Sequence, residues 1–90
     1  MLAELYQKYL SCTKVSTDTR NITGGELFFA LKGPNFNGNQ YAEKALEQGA
    51  KFAVVDEVDF VKSEQYILVN DGLKALQLFL LLNRKFAASY

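Results

Sequence analysis

The stretch LFFALKGPNFNGNQYAEKALEQGAKFAVV, Leu27 to Val55, decides the fold. It opens on an unbroken apolar run, Leu27 to Leu31, of strand length and without the alternation of a half-exposed strand, as expected where both faces are covered. Lys32 to Asn39, KGPNFNGN, is dense in Gly, Pro and Asn and reads as a loop. Tyr41, Ala42, Ala45 and Leu46 then share one helical face, while Glu43, Lys44, Glu47 and Gln48 share the other. Gly49 sits where a left-handed C-terminal residue is wanted. Phe52 to Val55 is a second buried strand. Strand, loop, helix, strand over about 30 residues is a βαβ unit, which closes with a right-handed crossover and a parallel pair.

Upstream, Leu2, Leu5, Tyr6, Tyr9 and Leu10 recur at helical spacing, and Ser11 and Cys12 end that helix. Thr13 to Thr17 alternates β-branched residues as a strand does, and Asn21 to Gly25 supplies a turn. Downstream, Asp56 to Gln65 reads as an acidic, solvated connection and Tyr66 to Val69 as a third apolar strand. Asn70 or Asp71 caps a last helix from about Leu73. That helix carries Leu73, Leu76, Leu78, Phe79, Leu80, Leu81, Leu82 and Phe86, more apolar surface than one stripe holds, so another body is expected to cover it. The fold class expected is α/β: a small three-layer-like domain with a short, mostly parallel sheet, one βαβ unit and flanking N- and C-terminal helices. Residues 1–90 form a single domain in this reading.

The composition narrows the chemistry. The 90 residues are 49% apolar and carry ten Lys plus Arg against ten Asp plus Glu. A net charge of zero and a pI near 6.2 remove the basic field that sequence-independent nucleic-acid binding uses. There is no His and a single Cys, Cys12. Imidazole catalysis, an internal disulfide and a Cys-rich zinc site are thereby excluded. The longest strictly apolar runs, Leu27 to Leu31 and Leu78 to Leu82, are five residues each, far shorter than the ~20 residues of a membrane span. No nucleic acid and no membrane are expected as partners, and a reducing, cytoplasmic setting is expected.

Two segments could hold a ligand. Gly33 to Asn39 follows a buried strand and precedes a helix, where open parallel sheets bind ligands, although tight turns use the same residues. Thr17, Asp18, Thr19 and Arg20 offer two hydroxyls, a carboxylate and a guanidinium, groups that suit phosphate oxygens. The plain alternative is a polar turn in which Asp18 and Arg20 pair with each other. Asp56, Glu57 and Asp59 lack the spacing and glycine of a calcium loop. No G-x-x-x-x-G-K-[ST] occurs, so no Walker-type ATP site is expected.

The segments S-T-D-T-R (Ser16 to Arg20), G-G-E-L-F-F-A-L-K-G (Gly24 to Gly33) and N-F-N-G-N-x-Y (Asn35 to Tyr41), followed by G-A-K-F-A-V-V, resemble the N-terminal domain of the Mur ligases. The resemblance is to the D-alanyl-D-alanine-adding branch, whose pattern runs roughly T-D-T-R, G-x-L-F-x-A-L-K-G and F-D-G-H-x-F, and it spans about Val15 to Val69. It implies a domain that binds the UDP part of a UDP-N-acetylmuramoyl-peptide and has no catalytic or metal-binding residue of its own. By motif, Thr17 and Thr19 match the residues that contact the nucleotide and diphosphate. Pro34, Asn35 and Phe36, with Asn37 beside them, match the loop that frames the uracil. Asp18, Arg20, Gly33 and Asn39 are supporting candidates.

For the parent protein the resemblance implies an ATP-dependent ligase of peptidoglycan precursor synthesis. ATP and magnesium would be held by a central domain beyond Tyr90, against which the final helix is expected to pack. Here the family's D-G-H is N-G-N, at Asn37, Gly38 and Asn39, which turns carboxylate or imidazole contacts into amide ones; Asn39 is expected to cap the following helix. Two alternatives stay open: the sister ligase that adds the third peptide residue, and a free-standing α/β module that docks a partner through its last helix.

Overall fold

The computed structural model describes residues 2–82. In chain order these form α1 (Leu2–Tyr9), β1 (Val15–Ser16), β2 (Leu27–Phe29), β3 (Lys32–Gly33), β4 (Phe36–Asn37), α2 (Ala42–Glu47), β5 (Phe52–Val55), β6 (Tyr66–Leu68) and α3 (Gly72–Leu82). Short 3-10 turns lie at Thr19–Asn21, Gly38–Tyr41 and Val58–Phe60.

Strands β1, β2, β5 and β6 make one parallel sheet in that order. Leu27 lies opposite Phe52, and Val54 opposite Ile67. Each connection steps one place in the same direction, and crossovers of one hand then fall on one face. Ile22 from the first connection, Ala42, Ala45 and Leu46 from the second and Phe60 from the third indeed pack together on Phe28, Ala30, Ala53 and Val55. The other face is left to the terminal helices. Leu5 of α1 and Leu76 and Phe79 of α3 cover Val15, Leu27, Phe29, Val54 and Ile67, and the Tyr9 ring meets Phe79 edge-on at 4.7 Å. Neighbouring residues of β2 and β5 therefore serve opposite cores, which is why both strands read as continuous apolar runs. The three layers, the parallel sheet and the βαβ unit stand as expected, and the small alanines of α2 let it lie close to the sheet.

The turn before β2 is organised by a buried carboxylate. Glu26 Oε2 accepts from Thr23 N at 2.6 Å and Thr23 Oγ1 at 2.9 Å, and Oε1 accepts from Gly24 N at 2.8 Å. Burial pushes this carboxyl up, but these donors outweigh it and hold it below its ordinary value.

Several local expectations change. The first strand shrinks to Val15–Ser16, because Thr13 is drawn to the turn: its N–H donates to Gly25 O and its hydroxyl to Gly24 O. Leu10, expected on the buried stripe of α1, follows the helix end and is exposed. The 32–39 loop carries a two-residue antiparallel ladder, β3 with β4. Asn39 does not cap α2: it is buried, and the side chain of Asn37 caps the 3-10 turn by accepting from Asn39 N at 3.0 Å. Asp71 does cap α3, its Oδ1 accepting from Lys74 N at 3.1 Å. Leu73, Leu78 and Leu81 stay exposed, as an uncovered second stripe would. Phe86 lies outside the described residues, and among those described no helix is long and apolar enough to cross a membrane.

Candidate ligand-binding site

The carboxyl ends of β1, β2 and β5 gather three polar segments on one edge of the sheet: Thr17–Arg20, residues 31–41 and Asp56–Glu57. Gly38 makes the middle segment possible. Its N–H donates to Leu31 O at 2.7 Å, and a Cβ there would fall on the Leu31 carbonyl oxygen and 2.6 Å from the Leu31 nitrogen. Only a glycine allows the chain to double back so tightly.

Two grooves result. One, of about 440 Å³, runs between Thr17, Asp18, Thr19 and Arg20 on one bank and Phe36, Gly38, Tyr41 and Lys44 on the other, over a floor of Phe28 and Leu31. The second, of about 430 Å³, is bounded by residues 32–37 with Gln40 and Tyr41. Phe36 and Tyr41 belong to both. Their rings lie 5.5 Å apart at 53°, and the two residues are 50% and 43% exposed. Cavities of this size suit a nucleotide-sized ligand, and exposed aromatic faces suit a planar ring.

The cation on the first bank is already matched. Arg20 Nε donates to both Asp18 oxygens at 3.0 Å and Nη2 donates to Oδ2 at 2.6 Å. The Arg20 guanidinium holds the Asp18 carboxyl down at about 2. The local pairing expected for this turn is thus present, with the arginine side chain 87% exposed and Thr17 and Thr19 lining the same groove.

Behind the second bank lies a network. Asn39, only 1% exposed, donates from Nδ2 to Asn37 Oδ1 at 2.8 Å and to Asp56 Oδ1 at 2.9 Å, and its Oδ1 accepts from Asp56 N at 3.0 Å. Asp56 Oδ2 accepts from Gly72 N at 3.1 Å, tying the network to the start of α3. Lys32 Nζ reaches Asp56 Oδ1 at 3.3 Å and Glu57 Oε2 at 2.7 Å. Burial pushes the Asp56 carboxyl up, but the donors from Asn39, Gly72 and Lys32 bring it below its ordinary value. Lys32 is raised, chiefly by Glu57.

The structure therefore corrects the reading of Asp56 and Glu57 as a solvated turn, since both are half-buried and bound to the loop; Asp59 alone of that cluster is exposed. Of the predicted site residues, Thr17, Asp18, Thr19, Arg20 and Phe36 meet in the first groove, and Gly33, Pro34, Asn35, Phe36 and Asn37 in the second. Asn39 lines neither, and its amide is spent on Asn37 and Asp56. Tyr41, assigned from sequence to the buried face of α2, instead stands exposed in the preceding turn. Lys44 was missed because helical spacing marked it only as solvent-facing, and Gln40 because it falls between the loop and helix patterns.

The sequence pattern of the Mur ligase family, catalytic domain, matches residues 11–80. The chain belongs to the Mur ligase family. Among relatives of this Mur ligase chain, the UDP-N-acetylmuramoyl-tripeptide--D-alanyl-D-alanine ligase of Haemophilus influenzae is 41% identical over 63 residues, covering 70% of this chain and 14% of that protein. The UDP-N-acetylmuramoyl-L-alanyl-D-glutamate--2,6-diaminopimelate ligase of Rickettsia typhi is 32% identical over 75 residues, covering 83% and 15%. A crystal structure of MurF from Acinetobacter baumannii superposes with a TM-score of 0.73 at 22% identity over 94% of this chain and 21% of that one, which shows a shared fold. The chain thus spans about a seventh of the length of the curated relatives, 14% and 15%.

Proposed function

We propose that this chain is the N-terminal, substrate-recognition domain of a cytoplasmic ligase that adds D-alanyl-D-alanine to UDP-N-acetylmuramoyl-tripeptide in peptidoglycan precursor synthesis, and that it holds the UDP end of that substrate. One observation carries the reading: two segments far apart in sequence, Thr17–Arg20 and residues 33–37, line grooves that share the Phe36–Tyr41 pair. In this reading the uracil lies against those rings within the Pro34–Asn37 loop, and the diphosphate lies along Thr17, Thr19 and Arg20, where hydroxyl and guanidinium donors suit its oxygens.

The domain's own task is binding. Among the described residues no His, Cys, Asp or Glu side chains gather as a metal site would require, and the sequence carries no phosphate loop for ATP. These residues do not fit ATP or magnesium, which belong to another part of the parent. The exposed stripe of Leu73, Leu78 and Leu81 is the surface that its central domain covers.

A titration with UDP tests the reading. The amide signals of Thr17 to Arg20 and Gly33 to Asn39 move together as UDP rises to millimolar concentration, while those of α1 do not. Signals that stay fixed at both segments overturn it. The second reading, a parent that adds the third peptide residue, is favoured by the likeness to the R. typhi diaminopimelate ligase. Assaying the full-length parent with UDP-N-acetylmuramoyl dipeptide against tripeptide separates the two.

A further inference from the structure

In the β3–β4 hairpin, Lys32 and Asn37 are directly opposite one another, so their side chains leave the same face of the ladder. Both end on one oxygen: Glu57 Oε2 takes Lys32 Nζ at 2.7 Å and Asn37 Nδ2 at 3.1 Å. The next pair, Gly33 opposite Phe36, leaves the other face. Nothing lies within 4 Å of where a Gly33 Cβ would be, so the space across the ladder from Phe36 is open. The hairpin has a polar side fastened at its base, where Lys32 and Asn37 border the second groove alone, and an aromatic side, Phe36, that lines both.

We infer that Glu57 is a positioning residue for the ligand loop: by joining Lys32 and Asn37 it fixes the base of the hairpin and so sets the angle at which Phe36 faces Tyr41. The inference rests on the UDP-binding reading above. Asp56 gives the fastening a rigid footing, since it takes the same lysine at 3.3 Å while its other oxygen holds Gly72 N at 3.1 Å. Lys32 sits in the loop where a cation would ordinarily be read as a phosphate contact, but two carboxylates already surround it. Its charge is spent on holding the loop.

Neutral and conservative variants test this. Glu57→Gln and Lys32→Met each weaken UDP binding by about three- to tenfold, speed hydrogen exchange at the Phe36 and Asn37 amides, and leave the unfolding midpoint of the chain in place. Lys32→Arg keeps a cation between Glu57 and Asp56 and retains most of the UDP affinity together with the slow exchange. A residue that mattered only for stability would shift the midpoint and not the affinity. UDP affinity untouched by Glu57→Gln and Lys32→Met overturns the inference. So does a Lys32→Arg variant with slow exchange kept but affinity lost, for then Lys32 contacts the ligand itself. A wild-type chain that takes up no UDP overturns the UDP-binding reading, and this role with it.

Discussion

Asn39 and Asp56 hold each other by two hydrogen bonds across the carboxyl edge of the sheet, Nδ2 to Oδ1 at 2.9 Å and Asp56 N to Asn39 Oδ1 at 3.0 Å. The pair joins the ligand loop to β5. Removing the amide leaves the Asp56 N–H and the Asn37 carbonyl oxygen short of partners in a buried place, and such groups cost about 1–3 kcal/mol each. Asn39→Ala is therefore expected to destabilise the chain by about 3 kcal/mol in urea unfolding. A loss under about 0.5 kcal/mol, the range of ordinary surface changes, contradicts this.

Gly38 and Gly33 are five residues apart in one loop and should respond oppositely to the same change. A Cβ at Gly38 collides with the Leu31 backbone, whereas one at Gly33 meets open space and neither residue has positive φ. Gly38→Ala is expected to cost more than about 3 kcal/mol, since backbone atoms cannot step aside. Gly33→Ala stays within about 0.5 kcal/mol. Thermal unfolding of the two variants side by side decides it.

The acid limb of stability is expected to be governed by Glu26 and Asp56, with a smaller share from Asp18, whose pairing with Arg20 is exposed and screened by solvent. The ordinary values of Glu26 and Asp56 are 4.5 and 3.8, and the folded chain holds both lower. A group depressed on folding contributes stability that is fully present above its unfolded value and is lost as pH falls through its folded one. Stability is thus flat at neutral pH and declines below about pH 4.5. Glu26→Gln places an amide before the Thr23 and Gly24 donors, costs about 2 kcal/mol at pH 7 and flattens the decline. Urea midpoints that fall as steeply in the variant as in the wild type speak against Glu26 as a source.

On α3, adjacent leucine and phenylalanine positions separate packing from display. Phe79 is 1% exposed and meets Tyr9 and Phe29, while Leu78 and Leu81 face outward. Phe79→Ala is expected to cost about 3–5 kcal/mol. Leu78→Gln and Leu81→Gln change stability by less than about 0.5 kcal/mol. Calorimetry on the three variants gives the comparison.

How far the sequence was legible follows from the range of the forces involved. The runs Leu27 to Leu31 and Phe52 to Val55 announced a doubly covered parallel sheet because burial on both faces removes all alternation, and Gly49 marked the end of α2 because its φ of 115° suits glycine. Thr17–Arg20 and the 33–37 loop were legible as polar segments at strand ends. Their meeting across the Phe36–Tyr41 pair was not, since it depends on the tertiary approach of Gly38 to Leu31. Asp56 and Glu57 were misread for the same reason: the groups that claim them, Lys32, Asn37, Asn39 and Gly72, lie about 15 to 25 residues away in the chain, beyond any local pattern.

The last prediction concerns the charge on the first bank. Asp18 neutralises Arg20 through three contacts of 2.6 to 3.0 Å, and with its carboxyl held at about 2 it stays ionised throughout the working pH range. An anionic ligand must therefore approach a guanidinium already matched by a carboxylate. Asp18→Asn keeps an oxygen that can accept from Arg20 N, as Oδ1 does at 2.8 Å, so the 3-10 turn survives while the competing charge disappears. UDP affinity is expected to rise about threefold at low ionic strength, and the gain should fade near 1 M salt, where the screening length is only ~3 Å. If Asp18→Asn instead weakens UDP binding at every salt concentration, the aspartate serves the ligand directly and Arg20 does not act as its phosphate contact.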